Sequence, residues 1–212
     1  MTVYIDIHTH ALSTTNPFSV VNLSVADAAS VLQTSSHKFF SVGIHPWDVH
    51  ESNPSAIEQL EILLSDTRIK AIGECGLDKN AKAPCKEQEY YFLRQVQLSE
   101  KFKKPLIIHC VASFNELIVL HKKLKPTQNW IFHGFRAKPM MAKQLLDHGF
   151  SLSYGKNFNA LSVELTPLEK LCIETDASDL QIADLYKTIA GIKNCQPSEL
   201  NAACALLRLY VC

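Results

Sequence analysis

Pro105-Leu106-Ile107-Ile108-His109, then Phe114–Leu124, then Trp130-Ile131-Phe132-His133 set the reading of the whole chain. A short apolar run, a longer amphipathic stretch and a second short apolar run make a strand–helix–strand unit. Strands apolar on both faces belong to a covered, parallel sheet. Pro105 fits at the opening of its strand, where the missing N–H costs least. Both strands end on a histidine.

The same rhythm continues in both directions. It predicts strands over Tyr4–Ile7, Ser19–Leu23, Phe39–Gly43, Ala71–Glu74, Leu106–His109, Trp130–His133, Ser151–Tyr154 and Leu171–Glu174. Helices are predicted over Val25–Gln33, Ser55–Leu64, Lys86–Phe102, Phe114–Leu124, Met140–His148 and Pro167–Lys170, with Leu180–Ile189 and Glu199–Tyr210 closing the chain. Pro139 and Gly149 bracket the fifth helix, and Ser198 is the expected N-cap of the last. Tyr91, Phe92, Leu98 and Phe102 gather on one side of the third. Eight such units in 212 residues average about 26 each, enough for a compact barrel. The expected fold class is therefore α/β, a TIM-like (β/α)8 barrel in one domain spanning residues 1–212. It is trimmed after strand one, because Ala11–Phe18 leaves no room for a helix.

Composition narrows the function. Apolar residues make up 47% and charged residues 20%, which supports a packed core and excludes wholesale disorder. Lys plus Arg and Asp plus Glu number 21 each, so no global basic field holds nucleic acid; such a substrate needs a local patch or a metal site. The seven cysteines are odd in number and form no CxxC pair, which argues against a disulfide framework or zinc knuckle and for a reducing compartment. Met1-Thr2-Val3-Tyr4-Ile5-Asp6 has no basic or apolar leader, and no apolar run approaches membrane-spanning length. The expectation is a cytoplasmic protein with no membrane role and no obligate protein partner.

The acids and histidines carry the chemistry. His8 and His10, at i and i+2 on strand one, point the same way. Glu74 ends strand four, His109 strand five and His133 strand six, and Asp176 follows strand eight. In a barrel these ends converge on the face that carries catalytic groups. Imidazoles and carboxylates without cysteine suit zinc or another divalent transition metal; magnesium or manganese favours more oxygen ligands. Each residue also has a plainer reading. His8 and His10 could be hydrogen-bonded strand histidines, His109 a capped strand end, and Asp176 the cap of the next helix. Glu74 is harder to dismiss, since a carboxylate on a buried strand is costly unless paired or metal-bound.

Together the segments resemble the TatD-type metal-dependent hydrolases, a branch of the amidohydrolase-like barrels. The resemblance runs through Asp6-Ile7-His8-Thr9-His10, Gly43-Ile44-His45-Pro46, Ile72-Gly73-Glu74-Cys75-Gly76-Leu77-Asp78 and Gln88. It continues in Pro105-Leu106-Ile107-Ile108-His109, His133-Gly134-Phe135 and Glu174-Thr175-Asp176. It implies metal ligands at His8, His10, Glu74, His109, His133 and Asp176. In that picture Glu74 bridges, His8, His10 and Asp176 complete one site, and His109 and His133 the other. It also implies phosphoester hydrolysis, often on DNA ends. The chain departs from the family at Arg136-Ala137. It departs again after Asp176, where Ala177-Ser178-Asp179 leads straight towards a helix and a long substrate loop is missing. The barrel is therefore trimmed after strand eight as well.

The expected mechanism is hydrolysis by metal-activated water, with two divalent ions (zinc, magnesium or manganese) and Asp176 as general base. Asp6 is either an orienter of the metal histidines or a buried polar residue lower in the barrel. His45 faces the substrate or caps its strand beside Pro46 and Trp47. Arg136, Lys138 and Lys156 are candidate phosphate contacts, and Trp47 is a base-stacking platform or a packing residue. Two alternatives stay open: an amide- or ester-cleaving enzyme of the same barrel, and a non-catalytic barrel that keeps a metal.

Overall fold

The computed structural model describes residues 3–49 and 55–207. Its eight strands lie in one sheet in sequential order: β1 (Asp6–Thr9), β2 (Ser19–Ser24), β3 (Phe40–Gly43), β4 (Ile69–Asp78), β5 (Leu106–Val111), β6 (Trp130–Phe132), β7 (Ser151–Tyr154) and β8 (Leu171–Ile173). Between them run α1 (Val25–Thr34), α2 (Ala56–Leu63), α3 (Cys85–Phe102), α4 (Phe114–Leu124), α5 (Pro139–Asp147), α6 (Ala160–Leu165) and, after β8, α7 (Ile182–Lys193). Sequential order with helical connections is the (β/α)8 pattern, so the expected fold class holds. Among the described residues no helix is long and apolar enough to cross a membrane.

The described residues form two compact units, 3–21 with 131–207 and 22–49 with 55–130. In the first, the link from β1 to β2 contains no helix, as expected. Asn16 ties it down instead, donating through Nδ2 to the Tyr4 carbonyl and accepting the Phe18 N–H. Past β8, the Thr9–Asp176 bridge joins first strand to last: Asp176 N–H donates to His8 O and His10 N–H to Asp176 O. Phe132 and Phe150 meet edge to face at 5.0 Å within a core that includes Ile7, Leu152 and Ile173. Tyr186 of α7 clasps β1, its hydroxyl accepting the Ile5 N–H and donating to the Ile5 carbonyl.

The second unit pairs β3, β4 and β5 in parallel around Phe40, Ile72, Phe92, Ile107 and Trp130. α3 buries Phe92 and Leu98 as its spacing predicts, but also Gln88, Gln95 and Ser99. The two glutamines are buried because they finish neighbouring strands. Gln95 accepts the Ile44 N–H and donates to the Ile44 carbonyl. Gln88 does the same for Asp78 and also donates to Ala83 O. Buried amides of this kind are stable only when fully bonded.

Several boundaries differ from the sequence reading. β4 runs on to Asp78, so Glu74 lies within a strand rather than at its end. Between Ile72↔Leu106 and Cys75↔Ile108 the register shifts, three residues of β4 opposing two of β5, a bulge that re-aims the side chain beside it. α6 was not predicted; Asn159 caps it by accepting the Ser162 N–H. Pro167–Lys170 is only a 3-10 turn, Leu168–Lys170. The last helix is a 3-10 helix, Pro197–Leu207, with Ser198 inside it rather than capping it. There Glu199 Oε2 accepts the Gln196 N–H. The remainder of that expected helix lies outside the described residues.

Candidate metal centre

In the first unit, β1 ends by presenting His8 and His10, whose rings meet edge to face at 5.0 Å. Asp176 comes to them from beyond β8. Its Oδ1 lies 3.7 Å from His8 Nε2 and 3.5 Å from His10 Nε2. The ligand atoms of all three lie within 4.8 Å of one another, so one ion could take all of them. His8 is fully buried, whereas the His10 and Asp176 side chains are 44% and 42% exposed. Asp176 adopts φ +53°, a left-handed conformation that Asp tolerates better than most residues. The two backbone bonds to β1 hold it there. It caps no helix: α7 begins six residues later at Ile182, with Gln181 as its N-cap.

Two carboxylates stand behind this cluster. Glu174 is fully buried and accepts the Gly134 N–H and the Ser153 hydroxyl, with His133 Nδ1 at 3.4 Å. Burial opposes its charge, but His133 and these donors hold its carboxyl below the usual range. His133 in turn packs against His8, ring centres 4.6 Å apart. Asp6 accepts a bond from the His8 backbone. Its oxygens take the Thr175 N–H and hydroxyl, and burial pushes its carboxyl up to about 7 against those bonds. It braces the segment that carries Asp176.

In the second unit, His45, Glu74 and His109 bring their ligand atoms within 4.8 Å of one another. Glu74 Oε1 lies 2.8 Å from His109 Nδ1 and 3.2 Å from His45 Nε2. The two histidines differ chemically. His45 Nδ1 accepts the Trp47 N–H at 3.0 Å, so the hydrogen of the neutral ring is on Nε2 and points at Glu74. In that tautomer it donates to Glu74. His109 Nε2 lies 3.0 Å from Asp78 Oδ2, a buried carboxylate that also takes the Trp47 indole N–H at 2.6 Å and the Asn80 N–H at 2.7 Å. Burial works against the Asp78 charge, and these donors still hold its carboxyl below the usual range.

The family model described as TatD related DNase matches residues 5–207. The chain belongs to the TatD related DNase family. It is 31% identical over 166 residues to the 3'-5' ssDNA/RNA exonuclease TatD of Cronobacter turicensis, covering 73% of this chain and 62% of that protein. It is 32% identical over 179 residues to an uncharacterized metal-dependent hydrolase of Buchnera aphidicola, covering 74% and 67%. The matched segment spans about three fifths of the first of these. Among solved structures, YJJV, a TatD homolog from Escherichia coli, superposes with a TM-score of 0.81 at 19% identity, covering 97% of this chain and 95% of that one. A TatD family hydrolase from Entamoeba histolytica gives 0.75 at 17% identity, covering 97% and 96%. At those identities the superpositions speak for the barrel fold.

Within this TatD-family chain, sequence reasoning chose the clustered histidines but missed two carboxylates. Asp78 has no role in a strand that stops at Glu74, and gains one because β4 runs on to it. In an extended strand, Glu74, Gly76 and Asp78 share one face, and that alternation was the available signal. Glu174 follows β8 directly, and its full burial marks it out. His45, expected to face substrate, lies against Glu74. Arg136 and Lys138 are exposed, and Lys156 lies 3.8 Å from Asp179, a loose surface pair.

Proposed function

We propose that this chain is a divalent-metal-dependent phosphoesterase acting on nucleic acid, with the deoxyribonuclease-like activity of its relatives. One observation carries the proposal: the ligand atoms of His8, His10 and Asp176 lie within 4.8 Å of one another, as do those of His45, Glu74 and His109, with no cysteine among them. That donor set fits zinc, manganese or magnesium. Family membership supports six ligands, His8, His10, Glu74, His109, His133 and Asp176, holding two ions. A bound divalent ion supplies Lewis acidity, which brings the pKa of a water towards neutrality and offsets charge on a phosphoryl oxygen.

The chain's own residues supply the rest. Asp176, part-exposed and held by backbone bonds, is the general base that takes the proton of the attacking water. Glu74 is oriented by the Nε2–H of His45. Glu174 orients His133, and Asp6 with Thr175 steadies the Asp176 segment. Arg136 and Lys156 are proposed contacts for substrate phosphate. The exonuclease names of the relatives support single-stranded DNA or RNA ends as substrate. The free thiols Cys75, Cys85, Cys110, Cys172 and Cys195 support a reducing, cytoplasmic location. Residues 1–212 are read as one hydrolase domain.

The test is direct. Metal-stripped protein is reloaded with zinc, manganese or magnesium and given end-labelled single-stranded DNA, an activated phosphodiester and an activated amide. Metal-dependent cleavage of the first two is expected. Cleavage of the amide alone, or of none of the three with any ion, overturns the proposal.

A further inference from the structure

His109 faces a carboxylate at each end of its ring: Glu74 at Nδ1, 2.8 Å away, and Asp78 at Nε2, 3.0 Å away. A neutral imidazole carries one hydrogen, so it can donate to only one of them. The other contact then sets a lone pair against a carboxylate oxygen, which is repulsive unless a cation lies between. The surroundings decide which end is which.

Asp78 is 1% exposed and bonded on every side. Its backbone N–H and carbonyl are clamped by Gln88, its Oδ1 takes the Asn80 N–H, and its Oδ2 takes the Trp47 indole N–H. It is an acceptor with no room for a metal. Glu74 Oε1, by contrast, faces His109 Nδ1 and His45 Nε2 in a group whose ligand atoms lie within 4.8 Å of one another, where an ion could sit. The hydrogen therefore belongs at the Asp78 end.

We propose that Asp78 is a positioning residue for the metal centre: it holds the His109 proton on Nε2, so that Nδ1 and Glu74 Oε1 together present a ligand pair to one ion. Trp47 belongs to the same device, since its indole N–H shares Oδ2 with His109 and keeps that oxygen turned inward. This inference rests on the reading of Glu74 and His109 as metal ligands. It adds the carboxylate that selects the ligating nitrogen, a role that outer partners of metal histidines fill by fixing tautomer and ring angle.

Nitrogen-15 NMR of histidine-labelled protein reads the tautomer, with the His109 signal assigned by its loss in His109→Asn. In metal-free protein above the histidine titration range, Nε2–H is expected; in zinc-loaded protein, ligation through Nδ1 is expected. Two-site zinc calorimetry of Asp78→Ala is expected to weaken one site ten- to hundredfold and leave the other unchanged, a split that general loss of structure would not give. Should Asp78→Ala fail to fold, Trp47→Phe keeps the ring and removes only the N–H, and a several-fold weakening of the same site is expected. A His109 proton on Nδ1, ligation through Nε2, or unaltered zinc affinity in both variants overturns the proposal. A wild-type protein that binds no divalent ion sinks the metal reading instead, and the metal-free tautomer still judges Asp78.

Discussion

The two clusters are built on opposite principles. In the first unit the outer donors, His10 and Asp176, are more than two fifths exposed and are aimed chiefly by backbone geometry. In the second, Glu74 and Asp78 are 6% and 1% exposed, and side chains hold their partners from both ends. A buried carboxylate is tolerable only with its charge answered, so the second cluster is pre-organised by necessity. An exposed one keeps freedom to accept and release a proton. The division suits a general base on Asp176 and a fixed ligand on Glu74.

The largest effect expected from breaking this contrast is on turnover. Glu74→Gln and Asp176→Asn should each lower kcat by about three orders of magnitude or more while circular dichroism stays native. Their metal content should differ: Glu74→Gln loses an ion, whereas Asp176→Asn, with His8 and His10 intact, binds its ion more weakly. Wild-type turnover in either variant removes that residue from the mechanism.

Gly76→Ala attacks the rigid cluster through its backbone. Gly76 has φ +145°, and a Cβ there would lie 2.0 Å from the His109 carbonyl oxygen, so β4 and β5 must part. A loss of about 3 kcal/mol in denaturant unfolding is expected, together with weaker metal binding. No comparable backbone approach constrains Gly134, whose Cβ would meet only the Glu174 carboxylate at 3.8 Å. Equal stability of Gly76→Ala and wild type would show that the packing between these strands is looser than described.

Metal counting sharpens the difference between the two histidines beside Glu74. His109→Ala should cost one ion per chain by elemental analysis. His45→Ala should keep both and weaken one by about tenfold, since it loses only a donor to Glu74. An ion lost from His45→Ala would make His45 a ligand after all.

The fold was legible because apolar runs and amphipathic stretches alternate in the order in which the strands pair, and Phe114–Leu124 and Ser151–Tyr154 fall where they were expected. The histidines and acids were legible because they cluster near strand ends. What escaped depended on contacts distant in sequence. The continuation of β4 through Gly76 is permitted by its close approach to His109, and nothing local announces it. The burial of Gln88 and Gln95 follows from the strand ends they complete, which lie elsewhere in the sequence. The tautomer of His45 is set by a backbone N–H two residues on, and that of His109 by Asp78, 31 residues away.

The smallest expected effect lies at the other end of the rigid cluster's own strand. Just before β4, Asp66 grips the Arg68 guanidinium, and Arg68 also donates to the Leu32 and Ser35 carbonyls at the end of α1. The Arg68 hydrogen bond holds the Asp66 carboxyl below its ordinary value despite partial burial. A depressed folded-state pKa contributes stability above the unfolded value and loses it as pH falls through the folded one. Asp66→Asn should therefore cost about 1 kcal/mol or less near neutrality, because the pair is partly solvated. The gap to wild type should narrow as pH falls from about 4 and close once pH has passed the depressed folded value, below which Asp66 is protonated in both states. Metal affinity should not change, since the contact lies eight residues from Glu74 and touches none of its partners. A pH-independent gap would mean that Asp66 acts by shape rather than charge. A change in metal affinity would mean that the order of the second cluster extends along the whole of β4.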